Sequence, residues 1–290
     1  MEKTDIICLD AEFADSQEIL ELAVVDGTGR VVYHSYFKPE LARRWPDSQR
    51  VHHISPAMVR DKPSLRSCLP AIQAIIDKAK VIVGYALSND TNHLAEQGVE
   101  HLNNKPTIDV RDLYWTVRGR HNGVDLMAVP SLARCAEELG VDLPADKAHA
   151  ADADTIATLQ VYDRLMEEYG GTPEEFMAEF DELYREYVRL NAHGYAYLLR
   201  KPGLGDILKV WKEPHEPREQ VLAVVELPNR FKGEYEIRKR LAKRRTSPAA
   251  PVYRLQRADI EWMGTYTNEY VEGEAEWFRA LLRHREELAL

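Results

Sequence analysis

The amino-acid sequence predicts an α/β fold in which helices flank a mixed β-sheet, followed by a smaller α+β domain. Three strand patterns come first, and helical patterns that alternate with short buried strands come after them. Gly170 and Gly171 then end a long helical pattern, and the spacing of apolar residues changes. We therefore predict one domain over residues 1–170 and an accessory domain over residues 171–290, which binds nucleic acid or forms a dimer.

The first three strands are predicted at residues 5–13, 18–26 and 30–37, which are rich in β-branched and other apolar residues. Residues 26–29, Asp-Gly-Thr-Gly, separate the second and third strands with the chemistry of a tight turn. Because short turns join neighbouring antiparallel strands, this part of the chain is predicted to form an antiparallel meander.

The remainder of the first domain alternates between loops, helices and short strands. Residues 39–63 are polar, contain proline and are rich in Arg and His, which indicates a long functional loop. Ser131 and Gly140 stand where the N-cap and C-cap of one helix are needed. The other predicted elements are helices at residues 64–79, 88–97, 131–139 and 152–169, and strands at residues 80–84 and 107–110.

The second domain is predicted to begin with a helix over residues 172–199. Residues 202–217 are rich in Gly, Pro and charge, so we expect a connector there. Strands are expected at residues 220–227 and 252–255, and an amphipathic helix at residues 273–288.

Composition excludes several classes of protein. Of 290 residues, 44% are hydrophobic and 30% are charged, and no run approaches the ~20 apolar residues that cross a bilayer. No secretory signal pattern is present, and the three cysteines lack the spacing of a zinc site, so we expect a cytoplasmic enzyme or binding protein. The net charge of −10 argues against a protein that coats nucleic acid, but it is compatible with an enzyme that has one local basic track.

Asp10 and Glu12 are the first candidate site residues. They stand two apart at the end of an apolar strand, so both carboxylates project from the same face. Two acids there repel each other unless a cation lies between them, and a hard divalent ion such as Mg²⁺ or Mn²⁺ prefers such oxygens. The alternative is an acid pair that serves only a turn or cap.

Three further candidates lie near helix starts. Asp90 follows the strand ending at Gly84, in the first turn of the next helix, where an acid also simply complements the helix dipole. Asp154 lies in the first turn of the long helix, and His149 lies on the loop before it. A mobile imidazole beside a fixed carboxylate suits a general base beside a metal ligand, although a lone histidine is often just a surface residue.

In this order, Asp10-x-Glu12, Asp90 and His149-x₄-Asp154 resemble the motifs of the DEDDh, or DnaQ-like, 3′→5′ exonucleases. That family includes polymerase proofreading subunits, ribonuclease T and oligoribonuclease, and it has a ribonuclease H-like fold. Residues 51–56, Val-His-His-Ile-Ser-Pro, resemble its Val-His-Gly-Ile-Thr-Pro segment, with His53 in place of the glycine. The chain departs from the family at residues 85–89, where many members carry an asparagine some residues before the third acid.

The resemblance implies a mechanism with two divalent ions, Mg²⁺ or Mn²⁺, about 4 Å apart around the scissile phosphate. Asp10, Glu12 and Asp154 are expected to hold the first ion and Asp10 the second, with Asp90 acting directly or through water. His149 is expected to take the proton of the attacking water. Two further residues, Phe13 and His52, are candidates to pack against the terminal nucleotide, with plain core packing as the alternative for Phe13.

A basic segment, residues 230–245, carries eight basic residues and two acids in a chain that is acidic overall. Phosphate-backbone binding requires a local track of this sign, and the alternative is a surface helix paired with acids elsewhere. The predicted substrate-binding residues of this segment are Arg238, Lys239, Arg240, Lys243, Arg244 and Arg245.

The predicted substrate is nucleic acid with a free 3′ end, with single-stranded DNA favoured over RNA. The alternatives are a 3′→5′ exoribonuclease, a nucleic-acid-binding module without catalysis and a small-molecule phosphatase. A homodimer is expected from the resemblance, and an accessory role in repair or anti-phage defence is a further hypothesis.

Overall fold

The computed structural model describes residues 2–143, 150–247 and 250–268. The chain divides into two compact units, Met1–Phe180 and Asp181–Leu290, and the division falls inside a long helix. The split into functional domains at residue 170 stays a prediction. Among the described residues, every helix is too short or too polar to cross a membrane.

The meander predicted for the N-terminal part is confirmed. Strand β1 (Ile6–Phe13) pairs antiparallel with β2 (Ile19–Asp26), which in turn pairs antiparallel with β3 (Val31–Tyr36). The turn after β2 is fixed by the Asp26 carboxylate, which accepts hydrogen bonds from the backbone N–H groups of Thr28 and Arg30 at 3.0 and 3.2 Å. Such a side-chain-to-backbone bond is the reason that Asp favours turns.

Two short strands, β4 (Val81–Gly84) and β5 (Thr107–Asp109), extend the sheet in parallel beside β1. The strand order is therefore β3-β2-β1-β4-β5, with an antiparallel half and a parallel half. This order, with helices packed on the sheet, confirms the predicted mixed α/β fold of the ribonuclease H-like class.

Helices cover both faces of this sheet. Ile7, Leu9 and Ala11 of β1 belong to a core cluster with Ile72 and Ile76 of the helix Leu65–Lys78. Residues at the alternate positions of β1 face the opposite side, where the helix Ala151–Tyr169 packs on the sheet. The helices of this unit that follow the long loop are α3 (Leu65–Lys78), α4 (Ser88–Glu96), α5 (Val110–Tyr114), α6 (Leu132–Leu139) and α7 (Ala151–Tyr169).

The segment before α3 corrects one prediction. Residues 39–63 form more than a loop, because they contain two short helices, α1 (Pro46–His52) and α2 (Pro56–Val59). The indole N–H of buried Trp45 donates to the carbonyl of Ile54 at 2.6 Å and closes the segment on itself. This packing around a tryptophan is tertiary, which explains why the polar sequence indicated only a loop.

The second unit corrects two further predictions. Helix α8 (Pro173–Asn191) ends well before residue 199, because β6 (Gly194–Lys201) begins there. Strand β7 (Gly205–Trp211) lies within the segment that was expected to be a connector. A Cβ at Gly194 would lie 2.6 Å from the carbonyl oxygen of Trp211, so the change from helix to strand is marked by a glycine that a close backbone approach requires.

The predicted strand at residues 220–227 is confirmed, and the short strand expected at residues 252–255 is also present, displaced by two residues. The second sheet has the order β8-β6-β7-β10-β9, and its core contains Leu198 of β6 and Ile237. The predicted helix at residues 273–288 lies outside the described residues. The remaining elements of this unit are β8 (Gln220–Leu227), α9 (Arg230–Leu241), β9 (Arg245–Ser247), β10 (Ala250–Tyr253) and α10 (Arg257–Thr265).

Candidate active site

The central strand β1 presents Asp10 and Glu12 on the face that is turned toward α7. Strand β4 pairs with β1 only over residues 6–8, so both carboxylates lie beyond the paired stretch. In open α/β sheets, the carboxyl ends of parallel strands leave a crevice where ligands bind. The two acids therefore lie at the edge where such a site is expected.

Helix α7 brings a third carboxylate to the same place. Its small residues Ala151 and Ala157 are fully buried, so the helix backbone approaches the sheet closely. Asp154 lies in its first turn. Asp10, Glu12 and Asp154 each offer one carboxylate oxygen, and these three atoms all lie within 4.8 Å of one another. The fold thus brings Asp154 next to Asp10 and Glu12, from which it is far removed in the sequence.

Burial and mutual repulsion disturb the titration of this cluster. Burial raises the pKa of Asp10 well above its ordinary value, and the charges of Asp154 and Glu21 raise it further. The pKa of Glu12 rises from 4.5 to about 9, first through burial and then through Asp10, Asp154 and Glu21. In the absence of a cation, ionisation of all three carboxyl groups is therefore unfavourable.

The donor set fits a divalent cation. It consists of carboxylate oxygens, which hard ions such as Mg²⁺ and Mn²⁺ prefer as ligands. A bound cation would also offset the repulsion that raises the pKa values of Asp10 and Glu12, because an opposite charge favours the ionised carboxyl.

Asp90 lies beside this cluster without being a member of the group of three. Its side chain is buried in the first turn of α4, and its Oδ1 accepts a hydrogen bond from the backbone N–H of Ala11 at 3.0 Å. Ala11 stands between Asp10 and Glu12, beyond the part of β1 that pairs with β4. Asp90 therefore continues the hydrogen bonding of β1 where β4 has ended, and it fixes the strand segment that carries both acids.

Asp109 was not predicted from the sequence, but it holds the loop that leads to Asp90. Its two carboxylate oxygens accept hydrogen bonds from the backbone N–H groups of Ala86 and Leu87, at 3.0 and 3.1 Å. Ala86 has a positive φ of 54°, a conformation that a non-glycine residue adopts only when its surroundings support it. In the sequence, the feature that could have indicated Asp109 was an acid at the end of a short strand. In the structure, Asp109 lies directly opposite Gly84 in the register of β4 and β5.

His149, the predicted general base, lies outside the described residues. The chain is described again from Ala150, the N-cap of α7.

Of the two residues predicted to contact the terminal nucleotide, Phe13 is the last residue of β1 and His52 is the last residue of α1. The ring of Phe13 is half-buried, with its centroid 5.0 Å from that of His93. His52 is buried, and its Nδ1 accepts the backbone N–H of Ile54 at 3.0 Å, which leaves Nε2 to donate to the carbonyl of Phe13 at 3.0 Å. Burial lowers the pKa of His52, which favours this neutral form. His52 thus ties α1 to the strand that carries Glu12.

Glu21 is a second residue that the sequence analysis missed. It lies in β2 directly opposite Glu12, with no exposed surface, and it forms a further potential cation group with His34 and Asp152. The signal was an acid in the interior of an apolar strand, whose other acid, Asp26, is its last residue.

Some residues of the predicted basic track form ion pairs within the protein, and others are exposed to solvent. The guanidinium of buried Arg238 bonds the Glu234 carboxylate at 2.8 Å, and that of Arg244 bonds Asp259 at 2.9 Å. Arg245 is half-buried, and the exposed cations of the segment are Lys239, Arg240 and Lys243, of which Arg240 lies over the ring of Trp262. The pair of Arg244 with Asp259 corresponds to the alternative of a helix or loop paired with acids elsewhere, whereas Glu234 belongs to the basic segment itself.

The fold and the acidic cluster together define a nuclease-like α/β domain. A family model described as exonuclease, RNase_T, matches residues 6–162, which is more than half of the chain. The chain therefore belongs to the RNase_T exonuclease family, as the sequence motifs indicated. Among curated proteins, no sequence matches this chain.

Several solved structures are similar to the chain. Exonuclease X in complex with 5′ overhanging duplex DNA is 23% identical, with a TM-score of 0.44, over 60% of this chain and 98% of its own. A 3′-exonuclease that recognises the histone mRNA stem-loop is 16% identical, with a TM-score of 0.45, over 57% of this chain and 64% of its own. The Neurospora crassa Pan2 catalytic unit is 18% identical, with a TM-score of 0.45, over 63% of this chain and 30% of its own.

Proposed function

We propose that this protein is a divalent-metal-dependent 3′→5′ exonuclease that hydrolyses phosphodiester bonds at the 3′ end of nucleic acid, with single-stranded DNA as its preferred substrate. The observation that carries the proposal is the group formed by Asp10, Glu12 and Asp154, whose oxygens lie within 4.8 Å of one another. The chain also belongs to an exonuclease family, so hydrolysis of phosphodiester bonds is the reaction for which it would use such a group.

In this mechanism, the chain's own residues hold and orient the reacting groups. Asp10, Glu12 and Asp154 would hold the Mg²⁺ or Mn²⁺ ions, and Asp90 fixes the backbone between the first two. When bound, such ions neutralise charge on the phosphate and lower the pKa of water. His149 takes the proton of the attacking water, since an imidazole with a pKa near neutrality suits a general base.

The test is digestion of oligonucleotides labelled at the 3′ or the 5′ end, in Mg²⁺, Mn²⁺ or EDTA. We expect stepwise, metal-dependent shortening from the 3′ end that is lost in Asp10→Ala and His149→Ala. Asp163→Asn is the control, because Asp163 is a half-buried acid on α7 that forms a surface ion pair with Lys3, and such pairs contribute little to stability. Binding without cleavage of any substrate would instead favour the non-catalytic module.

DNA and RNA oligonucleotides of the same sequence belong in the same experiment. Faster shortening of the DNA is the expected result, and faster shortening of the RNA would assign the chain to the exoribonucleases. The 2′-hydroxyl is the group by which a protein distinguishes the two.

For the second unit, we propose accessory binding of the nucleic-acid backbone through Lys239, Arg240 and Lys243. Replacing the three by alanine is expected to weaken binding to all sequences and to make it less sensitive to salt, because each lost phosphate contact reduces counterion release. We also propose a homodimer, which a single species of about 33 kDa in light scattering would exclude.

A further inference from the structure

The carboxylate of Glu21 is fully buried in the middle of the first sheet, on the face that carries the acidic cluster. In the register of β1 and β2 it lies directly opposite Glu12, so the two side chains are cross-strand neighbours. An ionisable group without exposed surface is costly unless its oxygens have partners. The position of Glu21 therefore requires an explanation that core packing does not give.

Each oxygen of Glu21 has a different partner. Oε1 lies 2.7 Å from Nε2 of His34, and Oε2 accepts the backbone N–H of Ala151 at 3.3 Å. Ala151 is the first residue of α7, where a helix leaves N–H groups without intrahelical partners. His34 on β3 thus orients the carboxylate, and the carboxylate holds the start of α7.

We propose that Glu21 is a positioning residue for the metal centre, which fixes the first turn of α7, and hence Asp154, at the correct distance from Asp10 and Glu12. This inference rests on the proposed function. Asp154 lies three residues after Ala151, within the turn that Glu21 holds. The Glu21 side chain thereby sets the separation between β1 and α7, the two elements that carry the candidate ligands.

The physical reason is that a metal centre tolerates little displacement of its ligands. Residues around a site hold its ligands in place, and loss of a hydrogen-bond partner of the ligands themselves typically costs about 10–100-fold in metal affinity or activity. Glu21 bonds to a backbone group rather than to a ligand side chain, so its effect is on the position of α7.

The test is Mn²⁺ binding, measured by the loss of the free-ion electron paramagnetic resonance signal, together with kcat and KM on a labelled oligonucleotide. Glu21→Gln retains an acceptor for Ala151, whereas Glu21→Leu has a similar volume and retains none. We expect Glu21→Gln to bind Mn²⁺ within about threefold of wild type, and Glu21→Leu to bind it about 10–100-fold more weakly, with kcat reduced and KM little changed.

Two further variants serve as a control and as a substitute. Asp26→Asn removes a buried acid that holds a turn at the far end of the same strand, so it is expected to lower stability without changing Mn²⁺ affinity. If Glu21→Leu does not fold, His34→Leu is the substitute, because His34 is part-exposed and orients the same carboxylate. Its expected effect is about a tenfold weaker affinity.

Several results would overturn the proposal. Equal weakening in Glu21→Gln and Glu21→Leu would mean that the charge of Glu21 matters and its hydrogen bond does not. Loss of one bound ion per chain in Glu21→Gln would make Glu21 a direct ligand, and wild-type affinity in Glu21→Leu would leave it no role. A different result would refute the proposed function itself, namely a wild-type protein that neither binds Mn²⁺ nor cleaves the oligonucleotide.

Discussion

The acidic cluster leads to a prediction about stability as well as activity. Three carboxylates are held together by the fold, so removal of one charge is expected to stabilise the metal-free protein while it abolishes catalysis. Glu12→Gln is the suitable change, because it preserves the shape of the side chain and removes the charge. Sites of this kind are a common reason that activity and stability oppose each other.

The magnitude follows from the geometry. Two unit charges 4.8 Å apart repel each other by about 3.5 kcal/mol at an effective dielectric constant of about 20. Part of this is already relieved in the wild-type protein, since Glu12, with a pKa raised to about 9, holds a proton over much of the neutral range. The site is also partly open to solvent, so we expect Glu12→Gln to raise the free energy of unfolding by about 1–3 kcal/mol. For a unit of this size that corresponds to a rise in Tm of roughly 2–10 °C.

The sign of the pH dependence is fixed by the same shift. Because the folded pKa of Glu12 lies above the unfolded value of 4.5, the folded state retains a proton that the unfolded state has released. Its contribution to stability is therefore complete below pH 4.5 and is lost as the pH rises toward about 9. The advantage of Glu12→Gln over wild type is expected to grow across this range.

The assay is thermal unfolding in EDTA and in Mn²⁺, at pH 5, 7 and 9. In EDTA the variant is expected to unfold at the higher temperature, and Mn²⁺ is expected to stabilise wild type more than the variant, because only the native site binds the ion tightly. Glu167→Gln, an exposed acid on α7, is the control and should change the unfolding free energy by less than about 0.5 kcal/mol. A lower Tm for Glu12→Gln in EDTA would refute the reasoning.

Two other predictions concern the segment that joins α1 to α2. His53 has a φ of 61°, a conformation that glycine adopts at less cost than histidine. We therefore expect His53→Gly to stabilise the protein by on the order of 1 kcal/mol and to raise the midpoint of urea unfolding. An unchanged midpoint would show that the backbone at residue 53 is not strained. Neighbouring His52 is buried and neutral with a lowered pKa, so its contribution to stability is present above pH 6.5 and is lost as the pH falls through the folded pKa. We therefore expect the drop in stability between pH 7 and pH 5 to be smaller in His52→Gln, and an equal drop in both proteins would contradict the lowered pKa of His52.

Much of the first unit could be predicted from the sequence because its signals are local. The apolar runs of β1 and β2 and the turn at Asp26 specify the meander without reference to the rest of the chain. Helix α6 likewise ends at Gly140, which has the left-handed conformation typical of a helix C-cap. Asp10, Glu12 and Asp154 could be proposed together only through their resemblance to a family, since nothing in the spacing alone says that α7 returns to β1.

The errors arose where tertiary contacts override a local pattern. The apolar residues of β6 continue the apolar stripe of α8 at helical spacing, but pairing with β7 and β8 and the close approach of Gly194 to Trp211 make residues 194–201 a strand. In residues 39–63, the burial of Trp45 and the ties to Glu18, which accepts three consecutive backbone N–H groups from residue 40 onward, create order that the polar composition conceals.

Glu21 and Asp109 show what kind of signal the sequence offers for residues that support a site. Glu21 is an acid inside a mostly apolar strand and Asp109 is an acid at the end of a short strand, and in each case the carboxylate accepts backbone N–H groups at or just before the start of a helix that carries a candidate ligand. A chain gains nothing in core packing from a buried acid, so such an acid is retained for what its oxygens bind. By the same reasoning, Asp109 supports the loop before Asp90 as Glu21 supports the first turn of α7, so both sides of the candidate metal centre would depend on a carboxylate outside the group of three that would hold the ion.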